Sequence, residues 1–263
     1  MSHARIVGRG RAGSALAQAL EHAGWIVSLL GRGDDLAHAA AGVDVLILAV
    51  PDAAIAAVAR SIEPSGPTLV LHLSGSVDLE ALRPHGRRAG MHPLVPLPDA
   101  ERGAALLRGA WFAIEGDDGV CDVTDALEGR VVRIASADRA RYHLAAVVAS
   151  NHLVALMGHV ERLAADVGMP LDAFVDLARA SLDNVAALGP ARALTGPVAR
   201  GDWDTIRRHL DVLDTVDRPA YLALAAEAAR LSGVELPSDV LSKQTGPPSG
   251  PVRSRAEGVP AWS

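Results

Sequence analysis

Lysine is almost missing from this chain: Lys243 is the only one in 263 residues. Every other permanently charged basic residue is arginine, so neither a Schiff-base lysine nor a lysine proton donor is available before position 243. Cysteine is as scarce. Cys121 stands alone, which excludes an internal disulfide and leaves too few thiolates for a zinc or iron–sulfur centre. No Cys/His group has metal-ligand spacing, so no metal is expected. Aromatic residues make up 3% and the net charge is −6, a composition unsuited to stacking bases or gripping phosphate backbones. Nucleic acid is therefore not an expected partner. No apolar run is read as long enough to span a bilayer, and no secretion signal opens the chain, so a cytoplasmic protein without membrane attachment is expected. The phosphate-loop signature G-x-x-x-x-G-K-[ST] and the nucleophile elbow G-x-S-x-G are absent.

What is present begins at residue 5. Arg5-Ile6-Val7 reads as the end of a strand, Gly8-Arg9-Gly10-Arg11-Ala12-Gly13 fits G-x-G-x-x-G, and Ser14–Leu20 reads as a helix. In a dinucleotide fold, Gly8 permits the tight turn, Gly10 keeps side chains away from the pyrophosphate, and Gly13 lets helix and strand pack closely. The amides and dipole of the helix N-terminus then face the anion. The second strand, Trp25–Leu30, runs into Gly31-Arg32-Gly33. An arginine at that place suits the 2′-phosphate of NADP, whereas an acid suits the ribose of NAD. Arg32 favours NADP; Asp34 and Asp35 keep NAD open.

Further along, Val43–Val50 is nearly all apolar, as expected of a parallel strand covered on both faces. Pro51 and Asp52 end it, with Asp52 expected to cap the helix Ala53–Arg60. Thr68–Leu73 is another strand, followed by Ser74-Gly75-Ser76. Arg88–Pro93, Ala110–Ile114 and Val131–Ile134 follow. The alternation predicts an α/β fold with a doubly wound parallel sheet. From Asp138 to Gly168 one long helical pattern replaces it, and helices are expected to Leu188, from Asp202 to Leu213, and from Asp217 to Gly233. The expected organisation is a dinucleotide-binding domain over 1–137, an all-α domain over 138–237, and a disordered Gly/Pro/Ser/Arg tail over 238–263.

Ligands of open parallel sheets bind beyond the carboxyl ends of the strands. Ser74 and His92 stand there, the first able to reach a nicotinamide or a carboxylate, the second able to move a proton to or from a carbonyl oxygen. In the helical half, Asn151 sits in an alanine- and valine-rich helix where asparagine needs a reason. Asn184 raises the same question. Arg200 can bind an anionic substrate or pair with Asp202 or Asp204. His143 and His209 are weaker candidates.

These pieces together resemble the Rossmann-like proteins that carry the helical domain of unknown function DUF2520, within the 6-phosphogluconate dehydrogenase-like group. The similarity runs from residue 5 to about 240. It is carried by G-R-G-R-A-G at 8–13, L-A-V-P-D at 48–52, L-S-G-S at 73–76, G-M-H-P-L at 90–94, S-N-H-L at 150–153 and L-T-G-P-V-A-R-G-D at 194–202. The resemblance implies an NAD(P)-dependent oxidoreductase, with some members linked to ketopantoate reduction. Cousins in the group use a Lys-x-x-x-Asn pair on the long helix. If Asn151 is that asparagine, the lysine position holds Val147. Prephenate dehydrogenases use a serine after a strand and a histidine in an H-P motif, similar to Ser74 and His92-Pro93. The expected catalytic residues are thus His92, Ser74 and Asn151. Expected cofactor contacts are Gly8, Gly10, Arg11, Ala12, Gly13, Arg32, Val50 and Pro51, and expected substrate contacts are Asn184 and Arg200. The expected reaction is hydride transfer from NADPH to a small oxo acid at the cleft between the domains. A prephenate-like oxidative dehydrogenase and a non-catalytic NADP-binding sensor are the alternatives. By analogy within the group, a homodimer is expected.

Overall fold

The computed structural model describes residues 1–242. Its coordinates divide into two compact units, Met1–Leu153 and the residues from Val154 onward.

The first unit is a seven-stranded sheet with helices on both faces. Its strands are β1 (His3–Val7), β2 (Ile26–Leu30), β3 (Val45–Leu48), β4 (Leu69–His72), β5 (Arg88–Pro93), β6 (Trp111–Gly116) and β7 (Arg130–Arg133), in the order β2-β1-β3-β4-β5-β6-β7. Side chains alternate between two cores, as the two-residue period of a strand requires. Ile6, Val45, Ile47, Leu69 and Leu71 face one layer, together with α1 (Arg11–His22), α3 (Ala100–Leu107) and α4 (Val120–Ala126). Val7, Leu46, Leu48 and Val70 face the other, against α2 (Asp52–Ser61) and the 3-10 turn Leu79–Leu82. The strand order reverses between β2-β1 and β3, which creates the crevice where such sheets bind ligands.

The sheet is mostly parallel. Strand β5 pairs with β6 antiparallel, and β7 follows β6 in parallel. After α3 the chain re-enters the sheet at the end where β5 left it, and Phe112 pairs with Pro93.

The long helical segment runs from Ser136 to Ala165. Within it, α5 (Arg139–Val147) passes through one π-helical turn, Val148–His152, into α6 (Leu153–Ala165). Contrary to the sequence reading, this helix is long and apolar enough, by length and composition alone, to cross a membrane, and none of its most apolar 18-residue window is buried. Scattered polar residues interrupt its apolar runs while leaving the helix apolar as a whole.

The second unit contains α7 (Leu171–Leu188), α8 (Pro190–Ala193), α9 (Trp203–Val212), α10 (Arg218–Ser232) and α11 (Ser238–Ser242). As the sequence indicates, Asp202 caps α9, accepting from the Thr205 amide at 3.1 Å, and Gly233 ends α10 with φ 68°. Its core is formed by Val198, Ile206, Leu210, Leu222, Ala225 and Val240. Val240 belongs to the tail expected to be disordered. Residues Ser238–Ser242 instead form α11, held by the paired Arg207 and Asp239, because Val240 supplies an apolar anchor. Residues 243–263 of that tail, Lys243 included, lie outside the described residues.

Candidate functional site

The glycine loop joins β1 to α1. Gly8 has φ +122°, and a Cβ there would lie 2.2 Å from the Ala49 carbonyl oxygen. A Cβ on Gly13 would lie 1.9 Å from the Gly8 carbonyl oxygen. These two glycines are demanded by the protein's own packing. Gly10 differs, because a Cβ there would meet nothing within 4 Å. It is the N-cap of α1, with no side-chain cap hydrogen bond. The helix amides are thus unclaimed beside open space, a setting suited to a bound pyrophosphate. Arg11 and Ala12 open α1, and Val50 and Pro51 follow β3 next to β1 in the sheet.

At the end of β2, Arg32 is exposed. Arg9, which the sequence reading passed over, reaches the same turn. Its guanidinium donates to the Leu29 carbonyl and pairs with Asp34, each at 3.2 Å. Asp34 also accepts the Gly31 amide at 2.7 Å. The acid that clouded the choice of cofactor is engaged by its own loop.

Three adjacent parallel strands deliver a polar cluster to the same edge. After β3, Asp52 does not cap α2 as expected; Pro51 holds the N-cap and Asp52 lies in the first turn. Its Oδ2 accepts the hydroxyls of Ser74 and Ser76, both at 2.8 Å. A carboxylate facing two hydroxyl donors gains more than one bound to a single helix amide. Ser74 Oγ in turn accepts the amides of Ser76 and Val77 at 3.1 Å, which closes the loop after β4. Ser74 is 8% exposed.

His92, on β5, meets the start of α5. Its Nδ1 lies 2.5 Å from the Tyr142 hydroxyl. The His92 ring stands edge-on to Tyr142 at 5.7 Å and to His143 at 6.0 Å between centroids. Gly75 makes room for both histidines, since a Cβ there would sit 2.7 Å from the His143 ring and 3.1 Å from that of His92. Burial, then the charges of His143 and Arg139, lower the His92 pKa to about 4, against an opposing pull from Asp52. The ring is neutral at neutral pH. Burial raises the Tyr142 hydroxyl to about 12.

Arg139 anchors this arrangement. It is 5% exposed and pairs with Glu115 of β6, which also accepts from Ser136. Its Nη1 donates to the Ser74 carbonyl at 3.2 Å. Burial pushes the Glu115 carboxyl up, but the hydrogen bonds from Ser136 and Arg139 outweigh it and hold the pKa below the ordinary value. Beneath lies His72, wholly buried, with neither ring nitrogen hydrogen-bonded. Burial first, and Arg139 second, hold its pKa at about 4.

The other expected site residues stand on other elements. Asn151 is exposed within the π-turn, not enclosed by apolar neighbours as its sequence context suggested. Asn184 is exposed on α7. Arg200 pairs with neither Asp202, which binds Thr205, nor Asp204, which binds Arg207 at 2.7 Å. Tyr142 and Arg139 were missed. Their spacing with His143, at i, i+3 and i+4, puts all three on one helix face, and that polar stripe at the head of an apolar helix is the signal that was legible.

Residues 110–228 match the model of the domain of unknown function DUF2520. No curated protein matches the sequence. Among solved structures, BF3122 of Bacteroides fragilis, whose provisional name is NADP oxidoreductase, is similar. It shares 21% identity over 88% of this chain and 97% of its own, with a TM-score of 0.70. TM1727 of Thermotoga maritima shares 25% identity over 86% of this chain and 98% of its own, at 0.66. The pyrroline carboxylate reductase of Plasmodium falciparum, solved with NADP bound, shares 13% over 88% and 98%, at 0.58. The chain therefore has a Rossmann-type fold in which residues 110–228 are similar to the DUF2520 domain.

Proposed function

We propose that the protein is an NADP(H)-dependent oxidoreductase that reduces a small oxo acid, with ketopantoate the first substrate to try. The observation that carries the reading is the shared sheet edge. The open Gly10 loop, Asp52 and Ser74 follow the carboxyl ends of adjacent parallel strands, and His92 stands near the end of the neighbouring β5 at the same edge. Bound NADPH would supply the hydride. Gly8, Gly10, Arg11, Ala12 and Gly13 would hold its pyrophosphate, Val50 and Pro51 would flank it, and Arg32 would meet the 2′-phosphate. Support for NADP over NAD comes from Asp34, already committed to Arg9 and Gly31, and from the NADP named for two of the similar structures.

His92 would give the proton to the carbonyl oxygen. Ser74, ordered by Asp52, would orient the substrate with Asn151. The test is NADPH oxidation over a panel of oxo acids, with the reverse oxidation of hydroxy acids alongside. His92→Asn is expected to cut turnover at least about 100-fold, the usual worth of a general acid, and to leave NADPH affinity unchanged. Unchanged turnover sinks the assignment. Tight NADPH binding without turnover across the panel replaces the reductase with a sensor.

The working form we propose is a homodimer. Helix α7 has 18 residues and buries none of them. Leu177, Leu182, Val185 and Leu188 are 62%, 51%, 40% and 44% exposed. A helix is stabilised chiefly by burying its apolar face, so a second copy of this chain is the partner we assign to α7 and to the exposed apolar residues of the preceding long helix.

A further inference from the structure

We infer that Tyr142 sets the position of the proton on His92: its hydroxyl donates to Nδ1, the ring carries its own proton on Nε2, and the two act as a relay. The inference rests on the reading of His92 as proton donor. The geometry behind it is direct. Nδ1 and the hydroxyl oxygen are 2.5 Å apart, and among the described residues the hydroxyl has no other acceptor. Were Nδ1 to hold the proton, the Tyr142 hydrogen would have no acceptor in a half-buried setting, and Nε2 would have nothing to give. The histidine ring is flanked by Gly75, where even an added Cβ would come within 3.1 Å of it, and by His143 standing edge-on beside it.

The relay solves a chemical problem. A neutral imidazole that simply loses its Nε2 proton becomes an imidazolate, which is too basic to form. With Tyr142 in place, Nε2–H breaks as the substrate O–H forms, while the tyrosine O–H breaks and Nδ1–H forms. The ring stays neutral throughout. The negative charge moves to the Tyr142 oxygen, where Arg139, one helical turn earlier, favours it against the larger opposing effect of burial. A solvent proton taken up at Nε2, with the Nδ1 proton returned to the tyrosinate oxygen, then restores the starting state. Besides Tyr142, the charged and titratable groups acting on His92 are His143, Arg139 and Asp52. Tyr142 is thus a positioning residue acting through His92.

Nitrogen NMR of the full chain labelled in its histidines tests the proton position without any substrate, with His92→Asn identifying the signal. The expected result at pH 7 is a protonated Nε2 and an unprotonated, hydrogen-bonded Nδ1. A proton found on Nδ1 overturns the proposal. Tyr142→Phe keeps the ring contact and removes the relay. With ketopantoate or whichever oxo acid the panel yields, its kcat is expected to fall about 100-fold with KM and NADPH affinity unchanged, and its solvent isotope effect to change from two protons in flight to one. A variant within threefold of wild type, while His92→Asn is inactive, overturns the relay alone. Full activity of His92→Asn overturns the proton-donor reading and the relay with it.

Discussion

At the scale of single residues, one buried histidine makes the first unit sensitive to acid. His72 is fully buried beside Arg139, with a pKa of about 4. Its folded value lies below the ordinary 6.5, so the folded state prefers the neutral ring. The stability this contributes is complete above pH 6.5 and is lost as pH falls toward 4, where the unfolded chain binds a proton that the folded one refuses. The loss is about 3 kcal/mol. Urea midpoints measured at pH 7 and pH 4.5 are expected to drop in the wild type and to drop less in His72→Phe. Equal drops in both would remove His72 as the cause. The sequence marked His92 but not His72, because only burial distinguishes a strand histidine in the core from one at a strand end.

At the scale of elements, the turn from β1 into α1 separates glycines required by packing from the one positioned for a ligand. Gly8→Ala combines a positive φ with a clash against a backbone carbonyl. It is expected to destabilise by at least about 2 kcal/mol. Gly10→Ala meets no atom of the protein. Its melting temperature is expected to match the wild type, while NADPH affinity, read by fluorescence, falls at least about tenfold, the equivalent of 1.4 kcal/mol. An unaffected Kd would mean that no cofactor approaches Gly10. The loop was legible in full because its reasons are local. The same holds for α9, whose Asp202 cap lies three residues from its partner. It fails for Asp52, where a local cap loses to two serine hydroxyls 22 and 24 residues away.

At the scale of the whole molecule, the exposed apolar side chains of the long helix and α7 are the surface we assign to a second copy of this chain. Analytical ultracentrifugation at micromolar concentration is expected to show a dimer. The double substitution Leu177→Glu and Leu182→Glu is expected to shift it to monomer. A wild type that sediments as a monomer, with the same substitutions silent, sinks the assignment.

By itself, the sequence determined the glycine loop, the place of each parallel strand, the helical second half and the polar residues at the strand ends. Those features follow from side-chain period, glycine geometry and caps within a few positions along the chain. Only the tertiary structure decided the direction of β6, the turning of Asp52 toward Ser74 and Ser76, and the meeting of His92 with Tyr142 across 50 residues. Each of these depends on which distant groups compete for a partner once the sheet has closed, and a buried ion pair between Arg139 and Glu115 is what brings the first turn of α5 down onto His92.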